Sequence, residues 1–223
     1  MPSPDIQRSL EVSLAEASYP IHFGSNLSES LGAFVQEKRD AGHCVCIVTD
    51  RNFAEEQKAF IQTVFDDCPL LELPAGETTK DAIYLERIYT FVAQNKMDRT
   101  GYLIAVGGGV IGDIVGFAAA TYLRGIHFVQ VPTTLLAMVD SSVGGKTGIN
   151  IPHGKNLVGA FYQPDAVYIS TALLQTLPAR EFAAGMAEAI KYGLLGDLEL
   201  FERLESLDRL HPKHPELPSV IEA

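Results

Sequence analysis

Positive charge is scarce in this sequence. Lys and Arg number 17 against 28 Asp and Glu, a formal net charge of −11 and an isoelectric point near 4.9. Such an acidic balance argues against general binding to nucleic acid or to an anionic membrane, both of which need a basic face. Cysteine is sparse too: Cys44, Cys46 and Cys68 are odd in number and form no recognised metal spacing. That argues against a disulfide framework and is expected of free, buried thiols in a reducing cytoplasm. No apolar run approaches the ~20 residues a membrane helix needs, and the opening MPSPDIQRSLEVSL lacks the basic head and apolar centre of a secretion signal. Internal repeats and low-complexity segments are also absent. What is present is 223 residues, 47% of them hydrophobic, with mean hydropathy +0.11, enough for one good core and part of a second domain.

In chain order, 10–14 and 19–23 alternate like two short strands of an edge hairpin, and Ser25 or Asn26 is placed to cap a helix over 27–37. CVCIV (44–48) reads as a buried strand. Asp50 at its carboxyl end could accept from a ribose hydroxyl or cap the helix expected over 53–65, and both roles fit. A strand over 70–73 runs into the polar loop PAGETTK, and Lys80 opens a helix to Gln94. A cation at that end is disfavoured unless an anion sits nearby.

The richest stretch is 102–150. Five apolar or aromatic residues, Tyr102 to Val106, end at three glycines, and a helix is expected over 110–120. Gly107, Gly109 and Gly112 satisfy G-x-G-x-x-G, which lets backbone pass close to a bulky anion that meets the helix amino end. The pattern departs from a Rossmann site: the next strand, 126–131, carries Gln130 and no carboxylate where an acid belongs. Asp113 either caps this helix or faces the ligand. Thr133 and Thr134 end the next strand with two hydroxyls. DSSVGGKT (140–147) imitates a P-loop but has Asp140 where that motif needs glycine. Asp140 and Lys146 therefore read as a charged pair flanking a flexible loop, followed by a second Gly-Lys at Gly154 and Lys155 and then Asn156. In so acidic a protein, lysines in glycine-rich loops suggest a local site for an anion.

A last strand over 166–169 completes the alternation of strands and helices that indicates a mainly parallel sheet with helices on both faces, an α/β fold. From Pro178 the texture becomes helical. Glu181, Glu188 and Lys191, spaced by seven and three, share one stripe of an otherwise apolar helix. Either Glu188 and Lys191 form a structural salt bridge or a metal compensates the carboxylates. A helix over 198–207 precedes a tail rich in proline and histidine.

The motifs GGGVIGD, YLRG, QVPTTLLAMVDSSVGGKTGIN, GKN and GMAEAIKYG stand in the order and spacing of the 3-dehydroquinate synthase family, which nearly the whole chain resembles. The resemblance implies an NAD-binding α/β domain (1–177) and the first helices (178–223) of an all-helical C-terminal domain, with the active site between them. It implies NAD contacts at Asp50, Asn52, Glu77, Lys80, Gly108, Gly109, Val110, Asp113, Thr133, Thr134, Lys146, Lys155, Leu173 and Thr176. It places Arg124, Asp140, Lys146, Lys155, Asn156 and Lys191 on a phosphorylated sugar acid, and makes Glu188 a ligand of zinc or cobalt. The implied reaction converts 3-deoxy-D-arabino-heptulosonate 7-phosphate to 3-dehydroquinate and phosphate by transient oxidation, elimination, reduction and aldol closure. A cytoplasmic homodimer is expected. The family's two histidine ligands lie in later motifs, and His211 and His214 sit in a proline-interrupted tail off that pattern. The chain is therefore expected to be the front part of a longer enzyme. Another sugar-phosphate cyclase, a metal-dependent polyol dehydrogenase and a non-catalytic NAD-binding fragment are the alternatives.

Overall fold

The structure is a computed structural model describing residues 5–14, 18–208 and 210–223. Seven strands form one sheet: β1 (Arg8–Val12), β2 (Tyr19–Gly24), β3 (Val45–Asp50), β4 (Leu70–Leu73), β5 (Tyr102–Gly107), β6 (His127–Pro132) and β9 (Ala166–Ser170). Their order is β1-β2-β9-β6-β5-β3-β4. Only β1 runs antiparallel, closing the edge hairpin with β2. The central strands are buried on both sides, which is why they read as continuous apolar runs rather than alternating ones.

Their side chains nonetheless divide by parity. Val45, Ile47, Ile104, Val106, Val129 and Val131 face α1 (Ser28–Asp40), α2 (Arg51–Glu56) and α3 (Lys58–Val64). Cys46, Val48, Leu103, Ala105 and Phe128 face α4 (Ala82–Gln94) and α5 (Gly109–Thr121). Each such aliphatic contributes roughly 1.5–3 kcal/mol when fully buried. Helices on both faces of a mainly parallel sheet are therefore the architecture, as expected. From β3 the chain goes outward to β4, then returns to lay β5 on the other side of β3. That reversal is a topological switch point, and ligands of open α/β sheets bind at the carboxyl ends of the strands beside it.

Several local expectations are corrected. The helix expected over 53–65 is two, broken at Gln57, whose φ of −118° leaves the helical region. The cap on α1 comes from Asn26 as expected, its Oδ1 accepting from the Ser28 amide at 3.1 Å, and Asp5 adds to it by accepting from the amides of Glu29 and Ser30, both at 3.0 Å. Lys80 does not open α4, because Asp81 caps it by accepting from the Tyr84 amide. The stretch between Asp140 and Lys146 is an irregular turn, as expected, with Gly144 and Gly145 at positive φ; what was not expected is that it joins a turn of π-helix (Ala137–Ser141) to a hairpin of β7 (Lys146–Ile151) and β8 (Gly154–Phe161). β7 packs on α5, where a Cβ on Gly116 would come within 2.5 Å of the Thr147 methyl and 3.0 Å of the Phe128 ring.

Three helices end the chain: α6 (Ala179–Leu195), α7 (Leu198–Ser206) and α8 (Leu217–Glu222). They form a small core of Ala189, Leu200 and Val220. Phe182, Leu217 and Ile221 join the main core, so the helical segment is docked on the sheet domain rather than tethered to it. A Cβ on Gly185 would collide with Leu135 and the Leu136 amide at 2.6 Å, so α6 crosses directly over the turn that carries Asp140. All three cysteines are free, Cys46 buried and Cys44 and Cys68 half-buried. Burial pushes the Cys46 and Cys68 thiols up, which makes them poor nucleophiles.

Candidate active site

The glycine turn stands at the switch point. Gly107 ends β5 and its carbonyl accepts from the Thr133 amide at the end of β6 (3.0 Å). Gly108 is the N-cap of α5 in an extended conformation. The first helical bond runs from the Gly112 amide to the Gly108 carbonyl (3.0 Å), so the amides of Gly109, Val110 and Ile111 precede the ladder and point outward. The motif's glycines have two different purposes. Cβ atoms on Gly107 and Gly112 would meet Ile111 at 2.6 Å and Gln130 at 2.9 Å, so these two let strand and helix pack. Gly108 and Gly109 instead lie under hydroxyl residues: their Cβ atoms would come within 3.0 Å of Thr134 and 2.9 Å of Ser141 Oγ.

Beside this turn is a buried charge. Lys80, 5% exposed, donates to the Asp113 carboxylate and to Asn156 Oδ1 at 2.6 Å. Its carbonyl accepts from the Asn150 amide at 2.8 Å. Burial raises the Asp113 carboxyl above its ordinary range, and Lys80 draws it partly back. Asp113 is thus no cap: it sits one turn into α5 and is the anion that Lys80 requires. Glu77 accepts from Asn150 at 2.8 Å and pairs with Lys155 at 3.8 Å. The PAGETTK loop and the β7–β8 hairpin are thereby clipped together over α5.

Asp113, Asp140, Ser141, Lys146 and Asn156 line one cavity of about 480 Å³, floored by hairpin residues including Gly148 and Gly159. Asp140 and Lys146 share this cavity but do not form an ion pair among the described residues; Asp140 accepts instead from the Tyr192 hydroxyl of α6 at 3.2 Å. On the same helix Lys191 donates to Glu188 at 2.6 Å, which raises the lysine's pKa. The Tyr192 phenol is pushed up by burial first and by Asp140 second, with Glu188 contributing further. Asp140, Glu188, Lys191 and Tyr192 therefore form one electrostatic neighbourhood where α6 meets Asp140 on the cavity wall.

Other expected residues stand apart from the cavity. Arg124 is exposed, at φ +67° on the turn after α5. Asp50 caps α2, accepting from the Phe53 amide at 3.1 Å, and Asn52 is exposed on that helix. Leu173 is buried at 3% exposure, and Thr176 accepts from Gln57 at 2.9 Å. Of these, Asp50 lies at the carboxyl end of β3, directly at the switch point. His211 and His214 stack edge to face, 5.6 Å between centroids, and no group of three metal-ligating side chains occurs among the described residues. Sequence reasoning missed Tyr192 and Ser141. Tyr192 was within reach, since it lies four residues beyond Glu188 and so on the same helical stripe; Ser141 is placed by a π-turn that no local pattern announces.

A mainly parallel sheet with a glycine turn and a buried lysine–aspartate pair at its switch point is an α/β fold, and solved sugar-phosphate cyclases share it. The structure superposes on 2-epi-5-epi-valiolone synthase from Streptomyces hygroscopicus, solved with NAD+ and Zn2+, with a TM-score of 0.75 at 28% identity, covering 94% of this chain and 56% of that one. It superposes also on a 2-deoxy-scyllo-inosose synthase complexed with carbaglucose-6-phosphate, NAD+ and Co2+, with a TM-score of 0.72 at 27% identity, covering 84% of this chain and 52% of that one. Within this class the chain belongs to the 3-dehydroquinate synthase family: residues 70–184 match its N-terminal model. The 3-dehydroquinate synthase of Opitutus terrae is 54% identical over 213 residues, 96% of this chain and 59% of that relative's length.

Proposed function

We propose that this chain is the NAD-binding and substrate-holding part of a 3-dehydroquinate synthase, with residues 178–223 opening the helical domain that completes the site. One observation carries the reading: a single cavity joins Asp113, Asp140, Lys146 and Asn156 beside a glycine turn at the switch point. The dinucleotide fits, because the amides of Gly109, Val110 and Ile111 precede the helical ladder of α5 and are free to meet its phosphates. Asp50, Asn52, Glu77, Lys80, Val110, Asp113, Thr133, Thr134, Lys155, Leu173 and Thr176 would surround it. When bound, NAD supplies a hydride acceptor that returns the hydride within the same turnover.

The chain's own residues then hold the phosphorylated sugar acid. Lys146, exposed on the cavity wall, places a cation against an anionic substrate group, and Asn156 orients a hydroxyl. Lys191 adds a cation from α6; Arg124, carried over by the resemblance alone, stands apart from the cavity. Asp140, held by Tyr192, fixes a further hydroxyl by accepting its hydrogen bond. A metal fits less well, since Glu188 stands without two further ligands among the described residues and catalytic zinc takes three.

The substrate is 3-deoxy-D-arabino-heptulosonate 7-phosphate and the products are 3-dehydroquinate and phosphate. The same reading carries a cytoplasmic homodimer; no helix among the described residues is long and apolar enough to cross a membrane. NAD+ binding and phosphate release measured on one preparation test it. Binding is expected, and any turnover must release phosphate without accumulating NADH. Accumulating NADH would identify a polyol dehydrogenase instead. Binding with no turnover is the behaviour of a non-catalytic fragment, which the solitary Glu188 favours for this chain alone.

A further inference from the structure

The Ser141 hydroxyl lacks a hydrogen-bond partner, and its oxygen is shut off from solvent. A buried hydroxyl in that state forfeits the bonds it makes to water, so a stable protein keeps one chiefly where something else satisfies it. Three features bear on what that is. Ser141 lines the cavity together with Asp140 and Lys146. Its Oγ lies over Gly109, 2.9 Å from where a Cβ would be, beside the outward amides of the α5 amino end. It also closes a π-helical turn, with the Ser142 amide bonded five residues back to the Ala137 carbonyl at 3.1 Å, and such turns cluster at functional sites. The neighbouring Ser142 provides the contrast. Its hydroxyl is also unpartnered, but the residue is 1% exposed and does not line the cavity.

Resting on the reading above, we propose that Ser141 is a phosphoryl-binding residue: a rotation about χ1 turns its hydroxyl from Gly109 into the cavity, where it donates to an anionic phosphoryl oxygen. That oxygen belongs either to the dinucleotide's pyrophosphate or to the phosphate of the sugar. Thr134, over Gly108, differs in that its hydroxyl has a partner, accepting from the Ala137 amide at 3.2 Å, and it does not line the cavity.

Calorimetric titration of wild type, Ser141→Ala and Ser142→Ala with NAD+, and with inorganic phosphate with and without saturating NAD+, tests this. Ser141→Ala should weaken one ligand about tenfold or more, the size of a lost charge-assisted hydrogen bond. Its ligand-free melting temperature should stay level or rise, because an unsatisfied hydroxyl has gone. Ser142→Ala should leave both affinities unchanged. Loss of NAD+ affinity assigns the oxygen to the dinucleotide; loss of phosphate affinity alone assigns it to the sugar phosphate. If Ser141→Ala binds both ligands as wild type does, the assignment to Ser141 is wrong while the NAD reading stands. If wild type binds phosphate in a Ser141-dependent way but not NAD+, the NAD reading falls and Ser141 stands; binding of neither ligand overturns both.

Discussion

Lys80 and Lys191 both pair with an acid, yet the two pairs are built differently. Lys80 is held on three sides, by Asp113, by Asn156 and through its carbonyl by Asn150, and its side chain is 6% exposed. Lys191 meets Glu188 from the next turn of its own helix, with its side chain 54% exposed. The first cluster is locked by elements from three parts of the chain, as a preformed ligand site must be. The second is a pair of charges on a surface stripe, waiting for a third group. On the proposed reading the locked cluster borders the dinucleotide, while Glu188 offers a metal one carboxylate and no further ligand among the described residues.

The sharpest way to break that contrast is to remove each lysine. Lys80→Met strands the Asp113 carboxylate in a buried position and should destabilise the fold by about 3 kcal/mol or more in urea unfolding. Lys191→Met should leave the midpoint unchanged, as expected of an exposed pair. Comparable losses for the two would erase the distinction. Next in size, Gly109→Val pushes a side chain against Ser141 at the amino end of α5 and should weaken NAD+ binding about 100-fold, roughly 2.7 kcal/mol, while circular dichroism stays that of wild type.

A smaller effect reads the charge cluster through pH. The folded protein holds the Asp113 proton more tightly than the unfolded chain does, because burial raises this carboxyl above 3.8. Its contribution to stability is therefore full below 3.8 and is lost as pH rises through the folded value. Asp113→Asn removes that slope. The variant should therefore gain stability relative to wild type on going from about pH 4 to about pH 6. A deficit that widened with pH would contradict the burial argument. The smallest effect concerns Tyr192, whose phenol is raised partly by Asp140. Asp140→Asn should lower its titration midpoint, followed by phenolate absorbance against a Tyr192→Phe blank, and an unmoved midpoint would dissolve the α6 contact.

These regions were unequally legible in the sequence. The strand–glycine–helix unit from Tyr102 to Thr121 could be read because apolar run, turn and helix are all local. The hairpin from Lys146 to Phe161 could not, since its glycines and polar residues look like a loop until α5 gives β7 a surface to pack on. Lys80 was rightly judged to need an anion, but Asp113 is 33 residues away and only the fold brings it there. The cap on α1 from Asp5 and the link from Tyr192 to Asp140 are likewise tertiary, with no spacing to betray them. Of the motif's four clustered and flanking glycines, only the packing atoms around them show which pair lets strand and helix pack and which pair lies under hydroxyl residues.

The central claim is that this chain holds a whole dinucleotide site and a fraction of a metal site. Titrating one preparation calorimetrically, first with NAD+ and then with zinc, tests it most directly. The account predicts saturable one-to-one NAD+ binding and no tight zinc site. Stoichiometric sub-micromolar zinc binding in a protein that takes up no NAD+ would contradict it.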